Sequence, residues 1–219
     1  MRVRSLFFVL LGILFIVLTG CSSQSTEEQI HNHLEEAVAL EEEFENQQSV
    51  ITDLESQEQE IYSQIIDLGM DDIEQIKELS SEALSIIDER EEKIELEKES
   101  IESSQKEFSN IDDLISKIED ADLKEKAEKM YEVMDNRYSV YAELNEAYLT
   151  SLEKERKLYT MLEQEDLEQK ELTNHINSIN ETYEQVLDLN EQFNNYTVEY
   201  NALKKEFYEA AELDIASES

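Results

Sequence analysis

In 219 residues there is no proline, and of three glycines (Gly12, Gly20 and Gly69) only the last lies beyond residue 20. Sheet folds need tight turns, and tight turns need residues that accept positive φ or preset the backbone angle. A body with one such residue has little but helix available to it. Its wealth of Glu, Leu, Ile, Lys and Gln favours the same state.

The apolar residues recur by threes and fours, the spacing of a coiled-coil seam. Four long helices are expected. The first runs from about Glu27 to Leu68, with Ala37, Leu40, Phe44, Ile51, Leu54, Ile61 and Ile65 on its seam. Gly69 stops it, and Asp71 with Glu74 reads as a capping box for a second helix to about Ile118. That helix carries Ile76, Ala83, Ile87, Ile94 and Ile101, interrupted by Ser80, Arg90 and Glu97. Asp122 with Glu125 starts a third, Leu123 to Gln164, whose seam includes Met130, Arg137, Tyr141 and Glu155. Asp166 with Gln169 starts the fourth, Leu167 to Ala211. The expected fold class is all-α: an elongated antiparallel bundle of helical hairpins with a left-handed supercoil.

The amino terminus has a different grammar. Arg2 and Arg4 precede an apolar run from Leu6 to Leu18, then Thr19, Gly20 and Cys21. At about 1.5 Å per residue the run covers roughly 20 Å, short for a membrane span, so it reads as a cleaved signal. Leu18-Thr19-Gly20-Cys21 resembles a lipobox. Small residues admit the peptidase, and the Cys21 thiol takes diacylglycerol as a thioether. The chain thus divides into a signal (1–20), a polar tether (21–26), a first long hairpin (27–118), a second (119–212) and a frayed end (213–219). The expected location is the extracytoplasmic face of the cell membrane, held by lipid.

Charge excludes several partners. The formal charge is −37, and losing Arg2 and Arg4 makes it −39. Nucleic acid is excluded, because its phosphates need Lys and Arg. One cysteine allows neither an internal disulfide nor a cysteine zinc site. Self-repulsion among the carboxylates predicts that acid or divalent cations stabilise the fold. No nucleophile sits beside a matched base, so no catalytic residue, metal ligand, cofactor or small-molecule substrate is expected. His31-Asn32-His33 spells a nuclease-like triplet, but residues two apart on a helix diverge by about 200° and cannot share a metal.

The lipobox, the acidic helical body and the closing stretch resemble the YkyA-type lipoproteins of Gram-positive bacteria, a family named for cell-wall binding. The stretch runs Leu189-Asn190-Glu191-Gln192-Phe193-Asn194, then Tyr200-Asn201, Lys204, Phe207 and Tyr208. The resemblance implies a non-catalytic protein that binds wall polymer or spaces membrane from wall. A scaffold or adaptor for another surface protein is the alternative. Either way the membrane partner is reached through the lipid.

Nine of ten tyrosines lie between Tyr131 and Tyr208, so a recognition surface is expected on the second hairpin. Tyr141, Tyr148, Tyr183 and Tyr200 fall on the seam. The off-seam candidates are Tyr138, Tyr196 and Tyr208, with Asn194, Asn195 and Asn201; Asn194, Asn201 and Tyr208 recur every seven residues and share a flank.

Overall fold

The computed structural model describes residues 24–68, 72–164 and 166–213. Among these the chain is all-α. Its helices are α1 (Thr26–Ala39), α2 (Glu42–Leu68), α3 (Ile73–Phe108), α4 (Asp112–Ile115), α5 (Ala121–Leu162) and α6 (Gln169–Ala210), with a 3-10 turn at Ser109–Ile111 between α3 and α4. The lipobox, Gly69 and Asp71 lie outside the described residues.

Contacts between the helices fix their directions. Gln48 meets Glu97, and Glu58 meets Arg90, so α2 runs antiparallel to α3. Ser104 meets Tyr138 and Arg90 meets Tyr148, so α3 runs antiparallel to α5. Arg137 meets Thr197 and Glu155 meets Tyr183, so α5 runs antiparallel to α6. In space the order is α2, α3, α5, α6. Forty-two residues at about 1.5 Å each make α5 and α6 roughly 63 Å long.

The seams of α3 and α5 are buried along most of their length. Ile76, Ala83, Ile87, Ile94, Ile101 and Phe108 face inward from α3. So do the seam's polar members Ser80, Arg90, Glu97 and Ser104. The apolar core is divided into two clusters. One gathers Ile30, Leu34, Phe108, Met130 and Phe207; the other gathers Ile61, Ile65, Ile76, Ile87 and Tyr159. Between them lies a polar waist.

Several boundaries differ from the sequence expectation. The first helix is two helices, because the Ser100 side chain is inserted at the break. Its hydroxyl donates to Leu40 O at 2.6 Å and accepts from Phe44 N at 3.1 Å. A side chain entering the helical ladder is a recognised cause of a kink. The bend also places Glu41 against Arg137. Ser100→Ala is expected to cost about 1 kcal/mol in chemical denaturation, since it strands a partly buried carbonyl and a partly buried N–H; a loss near zero would show that the kink does not need the hydroxyl.

The second helix tightens into the 3-10 turn where Ser109 Oγ bonds back to Lys106 O at 2.7 Å, a competitor of the α-helical ladder. The caps also move. α5 is capped by Asp120, whose carboxylate accepts from Leu123 N at 2.9 Å, not by Asp122. α3 is capped by Asp72, and α6 begins after Glu168 with no side-chain cap, so Asp166 does not cap it. α1 carries a complete capping box, Ser25 with Glu28, that the sequence reading passed over. His31 packs on the Tyr208 ring, while His33 Nδ1 lies 2.6 Å from Glu107. The two rings diverge, as their spacing on a helix requires.

Candidate functional site

The waist is built from charges that the seams force inward. Arg90, on α3, is almost completely buried. Its Nη1 donates to Glu155 Oε2 at 2.7 Å and also to Glu58; Nε and Nη2 reach Tyr148 Oη at 3.0 and 2.8 Å. Tyr148 donates its own hydroxyl hydrogen bond to Glu55 Oε1 at 2.7 Å, and Tyr183 donates to Glu155 Oε1 at 2.6 Å. Burial, reinforced by the Glu155 charge, pushes the Glu58 carboxyl up to about 7 against the pull of Arg90.

A second ion pair holds the other side. Arg137 grips Glu41 with both Nη atoms, at 2.8 and 2.7 Å, and Nε donates to Thr197 Oγ1 at 2.8 Å. The guanidinium lies 4.3 Å from the centre of the Phe193 ring. Between the two networks sits Glu97. Burial pushes its carboxyl up to about 7; Gln48 Nε2, donating at 2.5 Å, opposes this, and the Glu55 charge adds to it.

Over this waist opens a cleft of about 690 Å³, walled by α2 and α6 and floored by α3 and α5. It exists because α6 packs along α5 and does not close onto α2 here; Leu187, on the α6 wall, is 68% exposed. The lining holds four carboxylates, Glu41, Glu45, Glu55 and Glu97, and one cation, Arg137, already taken by Glu41. Three deeply buried polar atoms in the lining, Tyr141 Oη, Asn145 Nδ2 and Tyr200 Oη, complete no well-formed hydrogen bond with the protein, although the Asn145 amide and the Tyr141 hydroxyl lie within reach of one another. Their residues are 4, 8 and 3% exposed. Buried polar groups in native folds are nearly always satisfied, so three such donors in one cleft call for an explanation. No His, Cys, Ser or Lys lines the cleft, and no three His, Cys, Asp or Glu among the described residues are grouped to hold a metal. The arrangement can bind and orient a ligand.

The expected recognition residues divide. Asn194 and Asn201 line the cleft, and Asn194 Nδ2 donates to Asn190 Oδ1 at 2.8 Å. Asn195 is exposed away from it, and Tyr196 is half-buried against the first core cluster. Tyr138 and Tyr208 are not open surface. Tyr138 shares a 2.7 Å hydrogen bond with Ser104, and Tyr208 donates to Glu35 at 2.6 Å. Burial alone would raise Glu35; the Tyr208 bond and the Lys204 charge outweigh it and hold the carboxyl below its ordinary value. The tyrosine skew thus serves the interior, where α5 and α6 supply hydroxyls to buried charges. Asn145 and the waist charges went unrecognised as a site. Their signal was the run of polar residues at seam positions, Arg90, Glu97, Arg137 and Glu155.

Fold and cleft together describe an all-α helical-hairpin protein with a cleft over its polar waist. Residues 25–210 match the family described as "Putative cell-wall binding lipoprotein", YkyA. The chain is also 34% identical over 196 residues, 90% of its length and 88% of the relative's, to "Uncharacterized lipoprotein YkyA" of Bacillus subtilis (strain 168). It belongs to the YkyA family. A crystal structure of a conserved protein of unknown function from Staphylococcus aureus shares the fold, with a TM-score of 0.72 at 14% identity, covering 86% of this chain and 98% of that one.

Proposed function

We propose that the protein is a lipid-anchored, non-catalytic lipoprotein of the outer membrane face that binds the cell wall through the α2–α6 cleft. The observation that carries this is the family match across residues 25–210, with a lipobox ending at Cys21 just upstream. No described helix is long and apolar enough to cross a membrane. Two acyl chains give stable anchoring where one gives marginal binding.

Cys21→Ser is expected to accumulate as an unprocessed precursor on immunoblots of fractionated cells. A variant that still matures to the same size would refute the anchor. The wall claim is tested by sedimenting the mature protein, in detergent, with purified wall against solubilised membrane proteins. Co-sedimentation with wall supports the reading. Retention by membrane proteins alone replaces it with the adaptor role.

A charge near −39 constrains what such a protein can hold. Anionic wall polymers repel it. The wall group in the cleft is then neutral or cationic, or is bridged to the carboxylates by divalent cations.

A further inference from the structure

We infer that the α2–α6 cleft binds an extended amide chain bearing a primary amine. Asn145 and the hydroxyls of Tyr141 and Tyr200 take the chain's carbonyls, and Glu45, Glu55 and Glu97 take the ammonium. This rests on the wall-binding reading and names the ligand class of its site.

Four observations select the class. The three buried groups are donors: Asn145 Nδ2 can only donate, and each tyrosine hydroxyl has a proton to give. A ligand rich in carbonyl acceptors satisfies all three at once. An apolar helix or an acyl chain would leave them buried and unpaired, at a cost.

The charge of the lining points the same way. Arg137 is neutralised by Glu41, so Glu45, Glu55 and Glu97 face the cleft with no cation of its own to balance them. Arg90 reaches Glu55 only at 3.5 Å and is committed to Glu58 and Glu155. Phosphate or carboxylate ligands are therefore repelled, and an amine is attracted.

Length is the third observation. Along the α2 wall the cleft runs from Phe44 to Glu55. At about 1.5 Å per helical residue that is roughly 17 Å, the length of about five residues of extended chain. Finally, the volume lies within the roughly 300–1,000 Å³ of ordinary ligand sites.

The experiment uses the full mature protein in detergent and three probes, by titration calorimetry. These are an end-capped Ala-Ala-Lys-Ala-Ala peptide, the same peptide with its lysine acetylated, and a chitin oligosaccharide. The lysine peptide is expected to bind at least tenfold more tightly than the acetylated one, and added salt should weaken it. Tyr141→Phe and Asn145→Leu are expected to weaken the peptide by tenfold or more. Tyr141→Phe should not lower the melting temperature, because it removes a hydroxyl that the fold leaves without a well-formed hydrogen bond. Equal binding of acetylated peptide, stronger binding of the oligosaccharide, or peptide binding unmoved by both variants would each overturn the assignment. Wall sedimentation that persists while the lysine peptide fails overturns the amine site and leaves wall binding standing. Peptide binding without wall sedimentation does the reverse, and points to a lysine-bearing protein segment as the source.

Discussion

Replacing Arg90 with methionine is expected to destabilise the protein by about 3–5 kcal/mol at neutral pH, the cost of breaking a buried ion pair from one side. The guanidinium faces Glu58 and Glu155 and donates to Tyr148. Burial and the two carboxylates act on it in opposite directions, and the carboxylates, with Tyr148, win, holding it firmly protonated. Without it, two carboxylates share a dry site with no counter-charge. They would be relieved by protonation, so the loss should shrink as the pH is lowered to 5. A triple variant, Arg90→Met with Glu58→Gln and Glu155→Gln, should recover most of the stability. Urea denaturation decides the matter. A loss below about 1 kcal/mol at pH 7 would mean that the waist is wet enough to solvate the charges.

Glu97→Gln is expected to stabilise the fold by about 3 kcal/mol at pH 8, taking 1.36 kcal/mol for each unit of a carboxyl raised from 4.5 to about 7. The sign follows from proton uptake. Between pH 4.5 and 7 the folded state binds more protons at Glu97 than the unfolded chain, so stability falls as the pH rises through that window and the penalty is complete above 7. Below 4.5 both states are protonated, and the substitution should make no difference. Glutamine can still accept from Gln48, so packing is kept. The measurement is the melting temperature of both proteins at pH 5 and pH 8. Parallel pH curves for variant and parent would show that Glu97 is not the source. Glu58, raised for the same reason, adds to the slope in the parent. The diffuse self-repulsion expected from composition is thereby joined by two named groups. Removing the Glu97 charge should also weaken an amine ligand, a cost of the kind that keeps destabilising groups at binding sites.

Much of the architecture was legible without coordinates. With no proline and one glycine beyond residue 20, the body had to be helical, and three-four spacing named the buried face of α3 and α5; on α6 it placed Tyr183 and Asn190 inside, yet both are exposed, and Thr182, Leu189 and Leu203 are buried in their stead. Ile87 and Ile101 are buried because their period says so. Arg90, Glu97, Arg137 and Glu155 are buried for the same reason, despite their charge. A period is local information: it states which side of a helix leaves water.

It does not state what that side meets. Ser100 breaks a helix sixty residues away, and no spacing near Leu40 could announce it. Arg90 holds Glu58 on one neighbour and Glu155 on another, a choice made only when α3 lies between α2 and α5. Tyr138 and Tyr208 stand off the main seam yet are buried, because each helix packs against more than one partner and buries more than one stripe. The cleft itself is a tertiary fact. It opens where α6 follows α5 and leaves α2 uncovered, and it is lined by residues from five helices that only long-range packing brings together.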